Sequence, residues 1–146
     1  MNLIIRKALV RWKGGVKGGS RTLTTGSGAL LQLNFSLGIP LKTDTDTNTN
    51  PAELIAAAHA SSFSLALSKE LGLKTVAKGE IVTTATVTLE HLATGWTIMN
   101  IHLAVAARLP RVTQSQFIGA TVRAKTNCLI SRILRANISM NAKLEK

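Results

Sequence analysis

Asn50 to Gly72, NPAELIAAAHASSFSLALSKELG, is the stretch whose reading decides the fold. Between Glu53 and Lys69 it holds no formal charge, and only His59 and four serines interrupt the apolar residues. Asn50 is placed to act as N-cap, Pro51 takes the first helical position and Glu53 falls at the capping-box position. Gly72 supplies a left-handed exit. The pattern predicts a helix over 51–71. A helix apolar on nearly all sides belongs inside a protein, so other elements are expected to cover most of its circumference. At its centre stand Ser61 and Ser62, two hydroxyls where packing alone favours Ala or Leu.

On the N-terminal side, residues 3–12 alternate as a strand does, with Ala8, Val10 and Trp12 on one face. Residues 20–25 and 28–36 read as two further strands around Gly26-Ser27-Gly28, so the first 37 residues suggest a small antiparallel sheet. The glycine-rich stretch from Lys13 to Gly19 lacks the spacing of a phosphate-cradling loop and reads as a hairpin connection. From Gly38 to Thr49 runs a polar loop. Asp44, Asp46 and Asn48 alternate there as calcium-loop ligands do, but the glycine and distal glutamate of such a loop are missing.

On the C-terminal side, 79–90 and 96–108 are rich in β-branched residues at period two and flank a turn at Ala93-Thr94-Gly95, predicting a long hairpin. Pro110 ends it. Thr113 and Gln116 form a second capping-box signature. The helix they open is expected to reach Cys128 and to continue through Ile130, Ile133 and Leu134. Residues 137–143 alternate again as a closing strand. Strands segregated from two helices argue for an α+β fold.

A chain of 146 residues with 45% hydrophobic content suits one domain, 1–146, with a real core. The apolar run at 54–67 is too short and too polar to span a membrane. Met1 to Ile5 is followed at once by Arg6 and Lys7, without the apolar core of a signal peptide. The single cysteine, Cys128, excludes an intrachain disulfide and fits a reducing compartment, so the reading is cytoplasmic. A net charge of +11 invites a nucleic-acid partner. The basic residues are spread in ones and twos, aromatics are 3% and Tyr is absent, so base stacking is hard to build and that partner is disfavoured. A solvated basic surface, or attraction to small anions, accounts for the charge. His91 and His102 fall in or beside strands without metal-ligand spacing, and nothing in the sequence calls for a metal or cofactor.

Two segments carry a resemblance. TNPAELIAAAHASSFSLALS (49–68) is similar to the central helix of the OsmC/Ohr family of thiol peroxidases, and AKTNCLISRIL (124–134) is similar to its second conserved helix. Length and element order agree, and the Ala-His-Ala segment places the chain nearer the OsmC branch. The resemblance implies an OsmC-like fold, with antiparallel sheets around two central helices, in an intertwined homodimer whose sites lie at the interface. It also implies the family's chemistry, the reduction of organic hydroperoxides in the oxidative stress response. There a peroxidatic thiolate is oxidised to a sulfenic acid, a second cysteine resolves it to a disulfide, and a dithiol restores both.

Position by position, the resemblance places Ser62 at the peroxidatic cysteine, Cys128 at the resolving cysteine, Lys42 at a loop arginine and Ala52 at a supporting glutamate. Leu129 stands where the family commonly has proline. A serine oxygen has no counterpart to the thiolate–sulfenate step, Lys42 lacks the bidentate fork of arginine, and Ala52 removes a carboxylate. The architecture is kept and the known mechanism is impaired.

Two functional readings stay open at this point. One is an enzyme, with residual thiol chemistry at Cys128 and an external thiol to rescue its sulfenic acid. The other is a non-catalytic binder of an apolar small molecule or partner in the inherited pocket. A hydrolase pairing of Ser62 with His59 is disfavoured, since no third group, oxyanion hole or GxSxG elbow accompanies it. His59 reads as a packed or interface histidine. Cys128 reads equally as a buried small hydrophobe.

Overall fold

A computed structural model describes residues 2–15, 19–36 and 48–145, the side chains of 73 and 74 apart. The chain forms two compact units, 1–54 and 55–146.

In the first unit β1 (Ala8–Lys13) pairs antiparallel with β2 (Ser20–Thr25), from Ala8 opposite Thr25 to Lys13 opposite Ser20. β3 (Leu33–Asn34) pairs with β2 on its other side. The strand expected over 28–36 shrinks to those two residues. Gly28 and Gln32 adopt positive φ angles of 75° and 49°, and a left-handed residue interrupts the pleat. All six residues of β1 are exposed, so its alternation creates no buried face.

α1 (Pro51–Leu71) starts as its ends predict. The Glu53 N–H donates to Asn50 Oδ1 at 2.9 Å, and Gly72 leaves the helix at φ 91°. The Glu53 carboxylate accepts from Thr49 Oγ1 at 3.1 Å. The buried residues of α1 form a single stripe, His59, Phe63 and Leu67, spaced four apart on one face. Ala57, Ala58, Ser61 and Leu65 remain exposed. This corrects the expectation of a helix covered on most sides: among the described residues one stripe is fully buried, and the rest of the helix is half-buried or exposed.

After the short helix α2 (Leu73–Val76), which the sequence reading did not anticipate, comes the expected hairpin. β4 (Glu80–Leu92) and β5 (Gly95–Arg108) pair antiparallel, with a bulge at Thr88/Leu89. Gly79, just ahead of β4, admits no side chain, because a Cβ there would collide with the Arg108 carbonyl and the Leu109 side chain.

α3 (Gln114–Asn127) opens with the predicted capping box. Gln116 N–H donates to Thr113 Oγ1 at 3.2 Å, and Thr113 N–H donates to Gln116 Oε1 at 3.0 Å. It ends sooner than expected. Cys128 is its C-cap, in extended backbone at φ −64° and ψ 140°, and turns follow through Ile133. The reason is local: the Ser131 N–H donates to the Cys128 sulfur at 3.3 Å instead of continuing the helical ladder.

β6 (Asn137–Glu145) then lies parallel to β5, from Asn137 beside Asn100 to Glu145 beside Arg108. The second sheet, in the order β4-β5-β6, is therefore mixed. The expectation of antiparallel sheets holds for the first sheet and for β4–β5 and is corrected at β6: the crossover through α3 returns the chain alongside β5, and a strand laid down after such a crossover runs parallel.

β5 is the centre of the unit, burying Ile101, Leu103, Val105 and Ala107 at alternate positions. Leu103, Val105 and Ala107 pack with Phe63 and Leu67 of α1, with Phe117, Ala120 and Ala124 of α3, and with Cys128. Nearer the surface, Arg123 Nε of α3 donates to Glu70 Oε2 of α1 at 2.8 Å.

This packing ranks two substitutions. Phe117, fully buried, is expected to cost about 3–5 kcal/mol as Phe117→Ala. Thr113→Ala, which removes one cap, is expected to cost about 1 kcal/mol. Urea unfolding of the two variants measures both. A cost for Phe117→Ala no larger than that for the cap would contradict its place in the core.

Candidate functional site

Three side chains of the second unit, His59, Ser131 and Cys128, meet where the buried stripe of α1 reaches the turn after α3. His59 sits in that stripe at 0% exposure. A buried imidazole needs a partner, and it finds one 72 residues on: His59 Nε2 lies 2.8 Å from Ser131 Oγ. The same Ser131 hydroxyl lies 3.1 Å from Cys128 Sγ, and the Ser131 N–H donates to that sulfur at 3.3 Å. Cys128 is itself 1% exposed. His59, Ser131 and Cys128 thus form one hydrogen-bonded chain joining α1 to the end of α3. Burial pushes the His59 imidazole below its ordinary value of 6.5, since the charged form would lose its hydration. The ring is neutral at pH 7.

Ser62 is half-buried one helical turn beyond His59. The other serines of α1 are engaged. Ser61 and Ser68 donate back to the carbonyls of Ala57 and Ser64 at 2.8 Å, and Ser64 shares a hydrogen bond of 2.8 Å with Thr83. Ser62 makes no side-chain hydrogen bond among the described residues, which leaves its oxygen available on the helix face.

Of the positions singled out from sequence, Ser62 and Cys128 fall in the same unit. Phe63, beside Ser62, shares a hydrophobic cluster with Cys128. Ala52 lies half-buried in the first turn of α1, and Glu53 next to it is exposed. Lys42 lies outside the described residues, as do Asp44 and Asp46. His59 is packed, as expected, and its partner is Ser131, which argues further against a Ser62–His59 hydrolase pair. His102 on β5 bonds Ser139 of β6 at 2.7 Å, and His91 meets Trp96 edge to face across the hairpin. Among the described residues no three His, Cys, Asp or Glu side chains gather as a metal site would require, and no helix is long and apolar enough to cross a membrane.

Ser131 is the residue that sequence reasoning missed. Its signal was the Cys-x-x-Ser spacing from 128 to 131. On a continuous helix that spacing is unremarked, and it brings the Ser131 N–H onto the sulfur only once the helix stops at Asn127.

The arrangement of a long central helix, a mixed three-stranded sheet and a second helix ending at a buried thiol is an OsmC-like fold. The family model described as OsmC-like protein matches residues 44–143. Peroxiredoxin OsmC of Escherichia coli is 37% identical over 142 residues, 97% of this chain and 98% of that protein. Among solved structures, an OsmC-like protein of unknown function from Vibrio cholerae superposes with a TM-score of 0.75 at 17% identity, covering 97% of this chain and 100% of the other. An organic hydroperoxide resistance protein OsmC from Legionella pneumophila superposes with a TM-score of 0.68 at 21% identity, covering 100% of each. The chain belongs to the OsmC family.

The neutral His59 makes a prediction with a definite sign. Its folded value lies below its unfolded one, so between the two the unfolded chain binds more protons and stability falls as pH falls. Well above 6.5 neither state binds the proton and the slope vanishes. The urea midpoint is expected to decline as pH drops below 6.5, and His59→Gln, which does not titrate, is expected to flatten that part of the profile. Parallel profiles for parent and variant would show that His59 is not held neutral by burial.

Proposed function

We propose that this chain is a single-domain protein, 1–146, of the organic hydroperoxide response, with Ser62 at the peroxidatic position, and that its thiol peroxidase activity is impaired. The observation that carries this reading is the contact of α1 with the Cys128 turn. His59, one helical turn before Ser62, reaches within two hydrogen bonds of the only thiol in the chain. Support also comes from the relatives. The Escherichia coli protein is named a peroxiredoxin, and the Legionella structure is of an organic hydroperoxide resistance protein.

In this reading an organic hydroperoxide, or another apolar small molecule, enters beside Ser62. A cysteine there would attack the terminal peroxide oxygen, forming an S–O bond, breaking O–O and releasing the alcohol. Cys128 would then displace water from that sulfenic acid to give a disulfide, and a dithiol would reduce it. Ser62 stops the sequence at its first step, because a hydroxyl oxygen cannot be carried to a sulfenic-acid equivalent. Lys42 in place of arginine and Ala52 in place of glutamate weaken the support for a thiolate further. Binding of an apolar ligand at the same place survives these changes, so the non-catalytic binder is the second reading.

The exposed face of α1 favours a homodimer. Leu65 is 55% exposed in the middle of the longest helix, flanked by exposed Ala57, Ala58 and Ser61. A second copy would cover a face of that kind. The single cysteine supports a cytoplasmic, reducing setting.

With dithiothreitol or dihydrolipoamide as reductant and cumene hydroperoxide as substrate, the unaltered chain is expected to show little or no turnover. Ser62→Cys is expected to give a slow peroxidase, and adding Lys42→Arg and Ala52→Glu a faster one. Turnover of the unaltered chain matching that triple variant would show that a thiol at position 62 is not needed. A monodisperse monomer in light scattering would sink the dimer.

A further inference from the structure

We infer that His59 is a positioning residue for Cys128: through Ser131 it directs a hydrogen-bond donor, the Ser131 hydroxyl, onto the sulfur. The polarity of the chain follows from the free end of the ring. His59 Nδ1 is buried and has no hydrogen-bond partner among the described residues. A neutral imidazole carries one proton, on Nδ1 or on Nε2. Were it on Nδ1, a buried N–H would be left without an acceptor, which is rarer in folded proteins than an unpaired acceptor. The proton therefore belongs on Nε2, which donates to Ser131 Oγ across 2.8 Å. With that lone pair occupied, the Ser131 hydroxyl hydrogen is free to turn to Cys128 Sγ, 3.1 Å away. The Ser131 N–H reaches the same sulfur at 3.3 Å. Two donors from one residue thus converge on Cys128, and His59 fixes the direction of one of them.

A hydrogen bond donated to a sulfur strengthens as that sulfur takes on negative charge, as it does when it attacks an electrophile. In the Ser62→Cys chain the step would be attack of the Cys128 sulfur on the sulfenic acid at position 62. The S–S bond forms, the S–O bond breaks, and hydroxide leaves and takes up a proton to become water. This use of Cys128 rests on the reading of the chain as a hydroperoxide-response protein. The polarity of the relay does not.

The decisive measurement is the tautomer of His59 in the unaltered, ¹⁵N-labelled chain, by long-range proton–nitrogen correlation. The chain has three histidines, and His59→Gln identifies the signal. The Nε2–H tautomer is expected, and the Nδ1–H tautomer would overturn the inference. Alkylation of the sole thiol by iodoacetamide near neutral pH supplies the functional arm, with retention of fold checked by circular dichroism. Ser131→Ala and His59→Leu are expected to slow it about tenfold or more, the effect of losing a hydrogen bond to a charged acceptor. His59→Gln, whose amide can place an N–H where Nε2 stood, is expected to stay within about twofold of the parent. A folded Ser131→Ala chain alkylated as fast as the parent would also overturn it. Failure of the hydroperoxide reading would look different: Ser62→Cys would show no turnover while the tautomer of the unaltered chain stayed as expected.

Discussion

The structure of the second unit depends on one constraint, that α1 buries a single stripe and that this stripe contains a histidine. Phe63 and Leu67 meet the apolar face of β5 and the side of α3, and burying two such side chains contributes about 1.5–3 kcal/mol each. His59 lies in the same stripe because the spacing of four residues leaves it nowhere else. A buried imidazole with neither nitrogen paired would offset much of that gain. The turn after α3 supplies the missing partner. Packing of α1 and termination of α3 are thus one problem with one solution, Ser131, whose hydroxyl serves His59 while its N–H serves the sulfur that caps the helix.

Local signals in the sequence carried most of the second unit, because caps and period-two patterns act over a few residues. Asn50, Gly72, Thr113 and Gln116 mark real helix ends, and the 79–108 hairpin is present with a small shift of its bounds. What was not legible depends on distance along the chain. That β6 runs parallel to β5 follows from the crossover, which no residue within 137–145 announces. The stop at Asn127 follows from a sulfur–amide contact that competes with the helix, whereas Ile130, Ile133 and Leu134 keep helical spacing beyond it. The candidate site divides in the same way. Ser62 and Cys128 were visible through the resemblance to a family, and Ser131 became visible only in the folded chain.

Exposed apolar residues occur in both units, and those of α1 and β1 are among them. An apolar helix face around Leu65, and a strand with Leu9 and Val10 more than half exposed, are surfaces that folding of one copy leaves uncovered. Isolated apolar residues at a surface are ordinary. The apolar composition of 51–71, which predicted cover on most sides, is matched among the described residues by full burial of His59, Phe63 and Leu67.

Cys128 joins the end of α3 to the turn that follows it. The Ser131 N–H donates to its sulfur at 3.3 Å, and the Ser131 hydroxyl lies 3.1 Å away. The direction in which that hydroxyl points is set by its other neighbour, His59 Nε2 at 2.8 Å. Ser62 has no such arrangement, since no donor among the described residues reaches its oxygen. Of the two positions that the family resemblance pairs, the one still carrying sulfur is therefore the one that keeps hydrogen-bonding neighbours.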